Sequence, residues 1–97
     1  MVHSAEEILH LLREHRASLR ELGATRIGLF GSFARGEAGP DSDVDLLVEL
    51  DRRAFDRYME LWIYLEDLLG RKVDLALADR IKPRLKERIL AEVIDAA

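Results

Sequence analysis

Apolar residues recur along this chain in two rhythms. Ile8, Leu11, Leu12, Leu19 and Leu22 follow a spacing close to the helical period. Ser4 followed by Glu7 makes a capping box ahead of them, and Gly23 supplies a stop. A helix is predicted over 5–22. The rhythm then shortens. Residues 26–30 form a short strand with Ile27 and Leu29 on one face, and Gly31-Ser32 turns the chain into a short helix ending at Arg35. Gly36, Gly39 and Pro40 mark a loop. Over 44–50 the alternation is strict. Val44, Leu46, Val48 and Leu50 point one way, and Asp45, Leu47 and Glu49 the other, with Asp43 just ahead on that second face.

Helical spacing returns over 53–69 through Phe55, Met59, Trp62, Leu65 and Leu69, with Gly70 at the end. A third strand over 72–78 alternates Val73, Leu75 and Leu77 with Lys72, Asp74 and Ala76. Pro83 suits the first turn of a last helix, whose apolar positions are Leu85, Ile89, Val93 and Ile94. The order α-β-(short α)-β-α-β-α predicts an α+β fold, an α/β sandwich. Its small mixed sheet has about three strands, with helices mainly on one face. No repeat or linker interrupts it, so 1–97 reads as a single domain.

Composition narrows the function classes. Of 97 residues, 48% are apolar, enough for one core and not for two. No apolar run reaches the roughly 18–20 residues a membrane span needs. The start, MVHSAEEIL, lacks the basic-then-apolar form of a signal peptide. There is no cysteine, hence no disulfide or thiolate site. A soluble cytoplasmic protein is expected. The net charge of −4 argues against a non-specific nucleic-acid binder. The charge is also uneven. Residues 37–51 carry six acidic side chains and no basic one, whereas 80–88 carry five basic side chains against Glu87.

Part of the acidic segment is a strand, and carboxylates on a sheet face need a reason. Asp43 and Asp45 share a face about 7 Å apart. Asp74 lies on the polar side of the third strand, so pairing of the second and third strands brings the three together. Like charges that close raise one another's pKa unless a cation balances them. Oxygen-only ligands suit a hard divalent ion, Mg²⁺ or Mn²⁺, and two such ions would support phosphoryl chemistry. Gly31-Ser32, directly after a strand, offers backbone N–H groups and a hydroxyl to an anion. A phosphate turn beside a carboxylate cluster implies a nucleoside triphosphate. Arg35 would pair with a phosphate oxygen or with an acidic neighbour, and Ser42 would touch the nucleotide or cap the turn into the strand. Tyr58, Trp62 and Tyr64 read as core or interface packing, and His3, His10 and His15 as surface or packing residues. Two rival motifs fail. GSFARG lacks the Lys and Ser/Thr of a P-loop, and the loop from Asp41 has Leu46 and Arg52 where a calcium-binding EF-hand needs Gly and Glu.

Gly31-Ser32, ten residues, Asp43-x-Asp45 and a later strand Asp74 resemble the nucleotidyltransferase superfamily that includes DNA polymerase beta. Within it, GSFARGEAGPDSDVDLLV is similar to the minimal nucleotidyltransferase (MNT) antitoxins, over nearly the whole chain. The resemblance implies the transfer of AMP from ATP to a tyrosine hydroxyl of a partner HEPN-domain toxin, as in a type VII toxin–antitoxin pair. It implies two Mg²⁺ ions held by Asp43, Asp45 and Asp74, the triphosphate on Gly31 and Ser32, and release of pyrophosphate. Two other functions compete. One is a non-catalytic antitoxin that occludes its partner through the 80–88 segment and the apolar residues of the last helices. The other is an antibiotic-modifying nucleotidyltransferase, which ranks lower because the chain offers no second domain to hold a small acceptor.

Overall fold

The computed structural model describes residues 1–96. Among them, the elements run α1 (Ala5–Glu14), α2 (Arg16–Glu21), β1 (Ala24–Phe30), α3 (Gly31–Arg35), β2 (Val44–Leu50), α4 (Tyr58–Leu69), β3 (Val73–Leu77), α5 (Pro83–Glu92) and β4 (Ile94–Asp95). The strands form one mixed sheet in the order β3-β2-β1-β4. β1 runs antiparallel to both β2 and β4, and β2 runs parallel to β3, with α4 in the crossover. The expected α/β architecture is present with one strand more than the three anticipated.

The core lies between one face of the sheet and three helices. Ile27 and Leu29 of β1 and Val44, Leu46 and Val48 of β2 are buried there against Ile8 and Leu12 of α1, Leu19 of α2, and Leu61, Leu65 and Leu69 of α4. The two rhythms picked out all of these but Leu61, and Met59, which they placed on the same helix face, is half exposed. Ser4 caps α1 as the capping box requires, its hydroxyl accepting from the Glu7 N–H at 3.2 Å. α5 differs: it crosses the opposite face and buries none of its residues.

Three boundaries depart from the sequence reading. The first helix breaks at His15, whose Nδ1 stands 3.0 Å from the Tyr64 hydroxyl of α4. α1 ends there and α2 begins at Arg16, where the sequence reading ran the two together. The helix expected from residue 53 opens as a 3-10 turn over Arg52–Arg57, capped by Asp51. The last helix stops at Glu92, so Val93 and Ile94 are not helical. Val93 ends it in extended backbone, and Ile94–Asp95 pair with Leu29 and Gly28 of β1. Asp95 also meets Arg26 at 2.9 Å, and the Ala96 N–H donates to the Ile27 carbonyl. These bonds draw the segment into the sheet.

Candidate active site

β1 ends at Phe30, and the chain turns directly into α3 at Gly31, where φ is +77°. Only glycine adopts that backbone without strain. Space demands it as well, since a Cβ on Gly31 would run into the Asp45 carboxylate. The strand register explains the proximity. Phe30 lies opposite Asp45 across the β1–β2 ladder, and Asp45 lies level with Asp74 across the β2–β3 ladder. The turn and the two carboxylates therefore form one row across three strands, on the sheet face away from the core.

Asp45 is the half-buried member of the row, and Asp74 on the edge strand is exposed. Burial raises the Asp45 pKa above the ordinary carboxylate value, and repulsion from Asp74 and then Asp43 adds to it, while Arg35 works the other way. The edge strand carrying Asp74 is held from α4. The Trp62 indole donates to the Val73 carbonyl at 2.7 Å, and the Val73 N–H donates to Glu66 Oε2 at 2.9 Å. Both outward-facing backbone groups of Val73 are thus satisfied by α4 side chains.

A cleft of about 560 Å³ opens over this row. Gly31, Ser32, Arg35, Asp45 and Asp74 line its floor, and Arg80, Lys82, Arg88 and Glu92 line the wall. The wall is where Arg80, Lys82 and Arg88 of the basic 80–88 segment come to lie, a segment the sequence reading assigns only to a partner interface. Two of the expected site residues stand outside the cleft. Asp43 precedes β2 and is exposed, reaching Asp45 through its charge. Ser42 closes the preceding turn, its hydroxyl accepting from the Gly39 N–H at 2.8 Å.

Glu92 was not singled out by sequence, and it occupies the middle of the site. Its Oε1 accepts the Gly31 N–H at 2.9 Å, and Arg35 Nη1 reaches its two oxygens at 3.3 and 3.2 Å. Arg35 Nε also donates to Glu37 at 3.1 Å. The backbone bond from Gly31 and the Arg35 guanidinium hold the Glu92 carboxyl below its usual value. No local signal marks Glu92 in the sequence, because its partners lie 61 and 57 positions away.

The donor chemistry suits a hard divalent cation. Asp45 is partly desolvated, faces two further carboxylates and has a raised pKa, the signature of negative charge short of compensation. Among the described residues, however, no three carboxylates or histidines stand close enough to enclose an ion by themselves. Further ligands would have to come with the substrate, as phosphates do for Mg²⁺.

A glycine-serine turn at the end of an edge-adjacent strand, level with strand carboxylates in an open cleft, defines a class that matches by sequence as well. The Nucleotidyltransferase domain family matches residues 12–96, and the chain belongs to that family. The likeness extends to proteins described as minimal nucleotidyltransferases. It is 44% identical over 91 residues to the protein adenylyltransferase MntA of Thermococcus cleftensis, covering 92% of each chain. A solved structure described as a minimal nucleotidyltransferase superposes with a TM-score of 0.74 at 41% identity, over 89% of this chain and 93% of that one. A toxin–antitoxin crystal structure with AMP-PNP superposes at 0.68 and 25% identity, over 88% of this chain and 72% of that one. No helix among the described residues is long and apolar enough to cross a membrane.

Proposed function

We propose that this chain is a Mg²⁺-dependent protein adenylyltransferase of the cytoplasm. It would transfer AMP from ATP to a tyrosine hydroxyl of a HEPN-domain toxin and act as that toxin's antitoxin. The observation that carries the reading is the row of Gly31, Asp45 and Asp74 across three strands, set in one cleft beneath a basic wall. The likeness to MntA and to a toxin–antitoxin complex holding an ATP analogue supports it.

In this reading Gly31 and Ser32 hold the triphosphate through a backbone N–H and a hydroxyl, with Arg35 pairing its oxygens. Asp45 and Asp74, with Asp43 at the rim, would hold two Mg²⁺ ions, or Mn²⁺, which supply the charge neutralisation that an in-line displacement needs. The acceptor oxygen bonds to the α-phosphorus, the bond to the bridging oxygen breaks, and pyrophosphate leaves. Asp74 is exposed and can accept the hydroxyl proton as the bond forms. Ser42 has a structural part only, closing the turn before β2. The open cleft suits an acceptor presented on a protein surface.

Incubation with α-labelled ATP, Mg²⁺ and a HEPN-domain protein from the same genome tests this directly. Label should reach a tyrosine of the partner and be lost with Asp45→Asn, by a hundredfold or more on the scale of several kcal/mol that metal-assisted charge neutralisation supplies. Absence of label with the unmodified chain would refute transfer. A second reading is that the chain inhibits by occlusion, favoured by the exposed Leu85 and Leu90 beside the basic residues of α5. It predicts that Asp43→Asn with Asp45→Asn still protects cells from the partner.

A further inference from the structure

The Gly31 N–H is the group best placed to receive a phosphate oxygen, and it already has an anionic partner. Glu92 Oε1 accepts it at 2.9 Å while both Glu92 oxygens face Arg35 Nη1. The carboxylate therefore takes the two donors, one backbone and one guanidinium, that a phosphate would use. We propose that Glu92 is the resident anion of the phosphate cradle, and that an incoming polyphosphate binds by displacing it. The inference rests on the reading of Gly31 and Arg35 as phosphate contacts, and makes Glu92 a specificity-determining residue for that site.

The surrounding structure allows the exchange. Glu92 is the last residue of α5, and its side chain is about one-third exposed (30%), so it has an open path outward. The backbone just beyond it is fixed by other means. β4 pairs with β1, and Asp95 is held by Arg26 and, through its carbonyl, by Arg13. The carboxylate can thus leave through its own side-chain torsions while the chain beyond stays in the sheet. Arg88, next along the same helix face, also draws on Glu92 and lines the cleft, so a cation is at hand on the wall for either anion.

Displacement has a cost, and the cost selects ligands. Affinity falls by the fraction of molecules in which the cradle is free. A ligand with one weakly charged group competes poorly with a carboxylate already in place, whereas a triphosphate brings more charge and more acceptor oxygens. Glu92 therefore favours triphosphates over monophosphates without touching the base.

Titration calorimetry of the full chain with inorganic triphosphate in MgCl₂ tests the proposal. Glu92→Gln should tighten binding roughly five- to tenfold, because the weaker neutral acceptor frees the cradle more often. Glu92→Asp, one methylene shorter, keeps the charge but loses the reach to Gly31, and should tighten binding as well. Glu37→Gln removes the same charge from the other partner of Arg35 without freeing Gly31, and should change affinity by less than about twofold. In the free proteins, the Gly31 amide resonance should move in both Glu92 variants and stay in place in Glu37→Gln. Unchanged or weaker binding in Glu92→Gln, or an equal gain in Glu37→Gln, would overturn the resident-anion role and leave the phosphate site standing. No binding by any of the four proteins would overturn the phosphate site itself, and the role of Glu92 with it.

Discussion

At the scale of single residues, the site works against the stability of the fold. Asp45 carries a raised pKa because burial, and then the like charges of Asp74, Asp43 and Glu92, oppose its ionisation. A carboxyl whose folded-state pKa is raised destabilises the fold above that value, and the effect fades as acid protonates it. Asp45→Asn removes the opposed charge, so the metal-free variant should melt at a higher temperature than the parent at neutral pH while losing transfer. A lower melting temperature in calorimetry would contradict this account. Glu92 has the opposite sign. Its pKa is lowered, chiefly by the Gly31 N–H and then by Arg35. Its stabilising contribution is present above the ordinary carboxyl range and is lost as pH falls through the lowered value. Acid melting of Glu92→Gln should accordingly show a shallower loss of stability below about pH 4 than the parent. Gly31→Ala joins a positive φ to a collision with Asp45. It should cost about 1–3 kcal/mol in denaturant titration.

At the scale of elements, what could be read in the sequence depended on length and locality. β2 was legible because seven residues suffice to display its rhythm, and α4 was legible as a helix although its buried face was misplaced, Met59 being exposed and Leu61 buried. The candidate carboxylates were legible for the same reason, since period-two alternation tells which face Asp45 occupies. β4 was not. Two residues show no alternation, and Val93 and Ile94 continue the helical spacing of α5. The turn at His15 was equally hidden, as was the contact of that residue with Tyr64, 49 positions on. The same distance concealed Glu92. β3 illustrates how an element can depend on another for its place. Trp62 and Glu66 hold the two backbone groups of Val73, one residue before Asp74. Trp62→Phe with Glu66→Ala should cost about 2–4 kcal/mol, two buried partners at 1–2 kcal/mol each. It should also speed hydrogen exchange of Asp74 and Leu75 before that of β1. Uniform acceleration across the sheet would mean that α4 stabilises the whole fold and not the edge.

At the scale of the whole molecule, the formal charge of −4 conceals a division. Asp45 and Asp74 lie on the cleft floor beside Arg35, and Arg80, Lys82 and Arg88 lie on its wall beside Glu92, so the cleft presents both signs to one ligand. A triphosphate with its cations matches that division better than either alone. ATP with Mg²⁺ at a hundredfold excess over its Kd should stabilise the fold by about 2.7 kcal/mol and raise the melting temperature by roughly 10–20 °C. ATP alone and Mg²⁺ alone should each do less, and Asp45→Asn should abolish the difference. Equal shifts with and without the metal would exclude a metal-bridged site.

The two sides of the cleft also differ in how freely their sequences can change. The floor stands on β1 and β2, whose other faces are locked in the core, so most replacements there disturb packing. The wall is α5 with residues 80–82 just before it, α5 buries none of its residues, and surface substitutions of that kind usually fall within about 0.5 kcal/mol of neutral. Apart from Glu92, which is bonded to Gly31 and Arg35, charges along α5 can therefore be exchanged one by one with the fold intact and the reacting groups unmoved. A chain built this way can acquire a new partner by altering its wall while the chemistry on its floor stays as it is.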